Sequence, residues 1–218
     1  MIITKIYNEP KFCQTEILRY AGCKNADSEI LNLLESCLDE IQDKLTYRVC
    51  YRELSVDIAE DICDFGVFSV RSKNLADNLA SCRTVILFGA TVGVELDRLI
   101  AKYGRISPSK ALMFQAIGAE CIEALCDAFC KDIAREHNLC VAPRFSPGYG
   151  DLSLATQKDI FAVLDCSKRI GLTLNDSLLM SPSKSVTAFV GLSDGEIKEM
   201  KNKCSLCDKK DCSFRGAI

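Results

Sequence analysis

The feature that most constrains this chain is a helical pattern from Ser107 to about Asn138 that runs into a stretch no helix can enter. Ser107 fits an N-cap, and Pro108 fits the first helical position, where a missing N–H is no loss. Leu112, Ala116, Ala119, Cys126, Phe129 and Ile133 form one apolar stripe, and the many alanines permit close approach by neighbours. Gly118 is a candidate bend. A helix of this length in a chain of 218 residues belongs at the centre of the core. It delivers the chain into Ala142-Pro143-Arg144-Phe145-Ser146-Pro147-Gly148-Tyr149-Gly150-Asp151. Two prolines and two glycines within eight residues forbid a continuing helix and leave little room for a regular strand. The segment is therefore an irregular, locally stiff loop. Arg144 offers a fixed fork of donors suited to a carboxylate or phosphate. Gly148 permits a turn or a close ligand approach, and Tyr149 adds a flat ring with a polar tip. The same residues also suit a plain proline-rich connection with one solvated arginine.

The rest of the chain reads as a mixture of helices and strands. Residues 2–7 suit a short strand, and a helix from about Pro10 to Ala21 follows, with Gly22 as its stop. A second helix, about Ser28 to Leu45, sets Ile30, Leu34, Cys37, Leu38, Ile41 and Leu45 on one face. Tyr47 to Leu54 mixes β-formers with charges, as a strand with one wet face does. The acidic run Asp57, Glu60, Asp61 and Asp64 reads as a solvated face, and Phe65 to Val70 as a strand. Ser72 to Ser81 fits a short helix. Arg83 to Thr91 is the clearest buried strand, a continuous apolar run that passes through Gly89 and Gly93 into a helix over Val94 to Ile100. Neither G-x-G-x-x-G nor G-x-x-x-x-G-K-S/T is present, so the dinucleotide and P-loop readings fail. After the loop come a helix over 153–164, strands at Thr173-Leu174 and Ser185 to Leu192, and a short helix from Ser193 or Asp194 through Met200. The intervening Ser181-Pro182-Ser183-Lys184-Ser185 is a small polar turn whose lysine has the chemistry to meet an anion.

Composition narrows the function classes. A hydrophobic fraction of 48% supports a sizeable core. The net charge of −3 and the lack of a basic run argue against nucleic acid. The N-terminus is too quickly charged for a signal peptide, and no apolar run approaches the roughly 18 residues of a membrane span. These features predict a cytoplasmic protein without a membrane or nucleic-acid partner. The 14 cysteines then call for a reading other than disulfides, and Cys37, Cys126 and Cys166 fall where small core hydrophobes fit. There is no H-E-x-x-H, and the single histidine, His137, lies at a helix end. No catalytic residue is assigned.

Cys204, Cys207 and Cys212 form the one metal-like cluster. C-x-x-C places two thiolates around one turn, and Cys212 adds a third after four intervening residues. Zinc or an iron–sulfur cluster asks for a fourth ligand or an open position; Cys13 or Cys140 would serve only if the fold brought one close. Lys201, Lys203, Lys209 and Lys210 favour the thiolate form. Metal binding, reduced thiols and a disulfide formed on purification all remain open. The chain divides into one domain over 1–200 and a cysteine-rich tail over 201–218.

Arg144-Phe145-Ser146-Pro147-Gly148-Tyr149 resembles the R-x-x-x-G-Y motif of the activation domain of cobalamin (vitamin B12)-dependent methionine synthase, which in that family lies in the S-adenosylmethionine site. A second stretch is similar to the family's I-G-L-T-x-x-x-x-x-M, small-residue loop and S-V-S/T: Ile170-Gly171-Leu172-Thr173 to Met180, then Ser185-Val186-Thr187. The likeness spans most of residues 10–194. It implies an α+β fold with a twisted antiparallel sheet and long flanking helices. It also implies a part in methionine biosynthesis: binding of S-adenosylmethionine, docking on a cobalamin-carrying domain, and support of its reductive activation with a reductase or flavodoxin-type electron donor. By the same resemblance Arg144 would hold the donor's carboxylate, Gly148 would admit its backbone approach, and Tyr149 would face cobalamin. The chain would then be a freestanding part of a methyltransferase system, not catalytic alone. An iron–sulfur or zinc-containing reactivator of another corrinoid methyltransferase, or a protein-binding scaffold without small-molecule activity, are the alternatives. Two departures stand out. The family follows its motif tyrosine with a cysteine-, proline- and histidine-bearing run, where this chain has Gly150-Asp151-Leu152-Ser153; and it places a tyrosine where this chain has Val190.

Overall fold

A computed structural model, describing residues 1–8, 10–23 and 25–195, builds the chain around a five-stranded antiparallel sheet. Its first half runs β1 (Ile3–Tyr7), α1 (Gln14–Tyr20), α2 (Ser28–Ile41), β2 (Tyr47–Ser55), β3 (Asp57–Ala59), β4 (Ile62–Asp64), β5 (Ser69–Arg71) and α3 (Lys73–Leu79). Next come β6 (Thr84–Thr91), α4 (Glu95–Ile106), α5 (Pro108–His137) and β7 (Cys140–Val141). A single 3-10 turn (Leu154–Thr156) leads to α6 (Gln157–Leu164), α7 (Cys166–Ile170), β8 (Thr173–Leu174), β9 (Met180–Ser181) and β10 (Ser185–Ser193). The central sheet has the order β1-β2-β6-β10-β7, with β3-β4-β5 and β8-β9 as two small antiparallel sheets. The expected α+β architecture is therefore present.

Both faces of the central sheet are covered, which is why its middle strands read as unbroken apolar runs rather than alternating ones. On β6, Ile86, Phe88 and Ala90 meet the core under α1, α2, α4 and α5. Val85 and Leu87 meet a second core with α3, α6 and α7. β10 divides the same way, with Ala188, Val190 and Leu192 on the first face and Phe189 on the second. The period of two along an extended backbone produces this partition.

α5 occupies the middle of the first face, packed by α1, α2, α4 and the sheet. Its 30 residues span about 45 Å. Pro108 sits in its first turn, and Asn138 ends it in the left-handed region at φ 52°, its N–H returned to Ala134 and Arg135. The helix runs unbroken through Gly118, whose missing side chain has a different use. A Cβ there would lie 2.8 Å from Cγ and Cε of Lys184, so the glycine is a notch for the lysine stem. The Lys184 ammonium donates to the Gln115 carbonyl oxygen (3.1 Å) and Oε1 (2.6 Å). The neighbouring Ser183 N–H donates to Asp97 Oδ2 at 2.8 Å. The Ser181–Ser185 turn is thereby tied to α4 and α5, and its lysine is spent on a helix rather than an anion.

Several boundaries differ from expectation for local reasons. α1 begins at Gln14, not Pro10, because the Cys13 N–H is drawn to Glu120 Oε1 of α5 at 2.9 Å. α2 stops at Ile41 because Gln42 leaves helical geometry (ψ 132°) and Asp43 takes φ 59°. The stretch 57–71 is a three-stranded meander rather than a single strand after an acidic face. Asp57, Glu60 and Asp64 are solvated in it, and Asp61 pairs with Arg71 at 3.2 Å. α7 had no counterpart in the pattern.

Cys37, Cys126 and Cys166 are fully buried, as expected of core thiols. Burial pushes Cys37 and Cys63 up to about 11, and each described cysteine is a free thiol. The helix expected through Met200, the domain boundary at residue 200 and the cluster Cys204, Cys207 and Cys212 lie outside the described residues.

Candidate functional site

The loop that follows β7 continues along the outer edge of β10. Ala142 N–H donates to the Gly191 carbonyl oxygen at 2.8 Å, and Phe145 and Phe189 exchange both backbone bonds, at 3.0 and 2.9 Å. A partly extended segment sends consecutive side chains to opposite sides. Phe145 turns into the second core, 1% exposed, beside Phe189. Arg144 turns the other way, onto α5. Pro147 is buried and Ser146 half-buried, so the motif is anchored through its middle.

Past Pro147 the loop is exposed. Gly148, at φ 86°, makes a turn that a side chain would strain, closed by its N–H to the Leu152 carbonyl oxygen at 2.9 Å. Tyr149 N–H donates to Ser146 and Leu152 N–H to Tyr149, each at 3.1 Å. The Tyr149 ring stands edge-on to Phe145, centroids 5.3 Å apart, with 45% of the residue exposed. Asp151 leaves the loop and accepts from the Ser72 hydroxyl and from the backbone N–H of Lys73 (2.9 Å) and Asn74 (3.2 Å). These donors, led by Ser72, hold its carboxyl below the usual aspartate range.

Arg144 is the most heavily engaged residue of the motif. Its fork donates to Glu123 Oε2 at 2.5 Å and to Asp127 Oδ1, with the arginine side chain 24% exposed. Burial works against the guanidinium charge, but the neighbouring Cys126, the bond to Asp127 and the charge of Glu123 outweigh it and raise its pKa. Glu123 and Asp127 lie one turn apart on α5, so one planar fork reaches both.

The same two carboxylates line a cleft of about 580 Å³ between α1 and α5, with Glu16, Tyr20 and Glu120 beside them and Lys11 and Lys131 at its margin. Glu120, Glu123 and Asp127 stand at i, i+3 and i+7, an acidic stripe on α5 that runs from buried Glu120 to exposed Asp127. Burial, then the charges of Glu16, Asp127 and Glu123, raise the Glu120 carboxyl, while the bond from Cys13 opposes them. Arg144 thus holds two of the four carboxylates that line the cleft, without lining it itself. Sequence patterning singled out the arginine but not its partners. The i, i+3, i+7 acidic stripe was the signal that could have found them.

The second motif stretch supports the fold more than the site. Leu172 is buried, and Thr173-Leu174 pairs with Met180-Ser181 in a hairpin. Ser185 Oγ lies 2.9 Å from Thr91 Oγ1 and 2.8 Å from the Pro182 carbonyl oxygen, inside the protein. Thr187 faces Gly89 across the strands, and its buried hydroxyl has no partner among the described residues. Val190, at the position of the resembled family's tyrosine, is 1% exposed and belongs to the core under α5. Its side chain reaches no surface. His137 is half-buried at the end of α5. Among the described residues no group of His, Cys, Asp and Glu has the geometry to hold a metal ion, and Cys13 and Cys140 are exposed thiols.

No protein-family model matches the sequence, and no curated protein matches it. Among solved structures, the crystal structure of the MetH reactivation domain bound to AdoHcy is similar with a TM-score of 0.66 over 90% of this chain and 79% of that one. Identity is 13%, so the likeness is one of fold. The chain has the fold of that reactivation domain. Among the described residues no helix is long and apolar enough to cross a membrane.

Proposed function

We propose that this chain binds S-adenosylmethionine beside Arg144 and docks on a cobalamin-carrying methyltransferase, in the manner of a methionine synthase activation domain working in trans. The observation that carries the reading is the pairing of the Arg144 fork with Glu123 and Asp127, two of the carboxylates that line the cleft. S-adenosylmethionine carries one carboxylate and two cations, an ammonium and a sulfonium. An arginine among carboxylates offers a partner to each sign. The fold shared with a domain solved with AdoHcy supports the same reading.

In this account Arg144 takes the ligand's carboxylate and the α5 carboxylates accept its ammonium. Gly148 lets the ligand approach the loop backbone, and exposed Tyr149 presents a flat ring to the partner. Ser146 lies between them, while Phe145 and Pro147 hold the loop on the sheet. Val190 contributes no ring, so affinity rests more heavily on the charged end. S-adenosylmethionine supplies the methyl group, and the partner's cobalamin, reduced by a reductase or flavodoxin-type donor, supplies the metal that receives it. The chain's own residues bind, orient and exclude water.

Mixing the chain with a cob(II)alamin-loaded methionine synthase module, a reductant and S-adenosylmethionine tests the function. Conversion of the cobalamin spectrum to the methylated form only when the chain is present supports it. Conversion at the same rate without the chain contradicts it.

A further inference from the structure

One short helix grips the Arg144 loop at both ends. At the start, the Asn78 side-chain amide donates to the Pro143 carbonyl oxygen at 3.2 Å. At the finish, the Asp151 carboxylate receives the Ser72 hydroxyl and the backbone N–H of Lys73 and Asn74. Those amides open α3 and have no acceptor inside the helix, so a carboxylate from a distant part of the chain completes them. Ser72 also caps the helix from within, accepting the Leu75 N–H at 3.0 Å. Its own backbone N–H is held by the Asp61 carbonyl oxygen at 2.7 Å, so the anchor point is tied to the β3-β4-β5 sheet. Asn74 also leaves no room for a Cβ at Gly150, the residue before Asp151.

Between these two grips lie Gly148 and Tyr149, held by backbone bonds within the turn Ser146–Leu152. Asp151 also falls in the run where this chain departs from the pattern it otherwise resembles. We propose that Asp151 is a positioning residue for the ligand site, setting the backbone at Gly148 and the ring of Tyr149 through the first turn of α3. The ligand part of this inference rests on the reading given above; the holding of the loop does not.

The full chain, as wild type, Asp151→Ala and Asp151→Asn, is compared by hydrogen exchange and by calorimetric titration with S-adenosylmethionine. Exchange at the Gly148, Tyr149 and Leu152 amides quickens about tenfold in Asp151→Ala, the scale of a lost cap. Affinity for S-adenosylmethionine falls in proportion to the fraction of molecules whose loop has opened, since only the held loop is competent to bind. Asp151→Asn keeps one acceptor oxygen, enough for Ser72 and the Asn74 N–H but not for the Lys73 N–H bonded to the second oxygen, and recovers only part of both. Unchanged exchange at the three amides in Asp151→Ala, or an affinity loss without quickened exchange, overturns the assignment. A wild-type chain that binds no S-adenosylmethionine defeats the ligand reading, and the exchange comparison still decides whether Asp151 holds the loop.

Discussion

Arg144 Nη2 and Glu123 Oε2 meet at 2.5 Å where the edge loop crosses the long helix, and Asp127 takes the other arm of the same fork. One side chain thereby joins the loop to α5 and holds two of the carboxylates that line the cleft. The arrangement makes the arginine worth more than either of its partners.

Removing Arg144 leaves two carboxylates facing each other without a counter-charge. Arg144→Ala is expected to lower unfolding stability by about 1–2 kcal/mol, the scale of hydrogen bonds to charged groups. Glu123→Gln or Asp127→Asn alone leaves the fork one partner and costs about 0.5 kcal/mol, as exposed pairs do. Arg144→Lys keeps the charge but not the fork, and falls between. Urea midpoints of the four variants check this ranking.

Glu120 carries the pH signature of the cleft. Its carboxyl is raised in the folded protein, so the unfolded chain releases that proton at lower pH than the native one. Stability from this residue therefore falls as pH rises through the native pKa and stays reduced above it. Glu120→Gln, which keeps an acceptor for the Cys13 N–H, is expected to stabilise by about 0.5 kcal/mol at pH 7. The gain vanishes at about pH 3, below the ordinary glutamate value of about 4.3. Thermal melts of both proteins at the two pH values decide the sign.

Gly118 and Lys184 form a coupled pair. Gly118→Ala alone forces the lysine stem out of its notch, offsetting the helix-propensity gain, and leaves stability unchanged or lower. With Lys184→Ala in place, the same Gly118→Ala change is expected to stabilise by about 1 kcal/mol, the full propensity difference. A double-mutant cycle by denaturant unfolding measures the coupling.

If the acidic cleft recognises positive charge, the sulfonium matters as well as the shape. S-adenosylmethionine is expected to bind about fivefold more tightly than neutral-sulfur S-adenosylhomocysteine, roughly 1 kcal/mol for one charge near a wetted carboxylate. Raising salt narrows the difference. Calorimetry with both ligands at two salt concentrations gives the ratio.

How much of this was legible in the sequence depends on the range of the interaction involved. β6 and α5 could be read because a fully covered strand and a core helix write their burial into local composition, at Thr84–Thr91 and Pro108–His137. The loop at Ala142–Asp151 was equally visible, since proline and glycine act on their own backbone. Contacts between distant segments were not. Nothing near Arg144 announces Glu123 and Asp127, 21 and 17 residues away. Asp151 lies 79 residues from the Ser72 it binds, and Cys13 is 107 from the Glu120 that shortens α1. The start of α1 was misread for that reason: the proline rule places a helix start near Pro10, and a carboxylate on another helix moves it. Val190 likewise looked like a lost ligand contact, whereas its burial under α5 makes it a core residue.

The most direct test of the central claim is calorimetric titration of the purified chain with S-adenosylmethionine, wild type against Arg144→Ala, with folding of the variant verified by circular dichroism. The account predicts saturable binding by the wild type and at least a tenfold loss in the variant, about 1.4 kcal/mol for a charged anchor. Equal binding by both proteins, or none by either, contradicts it.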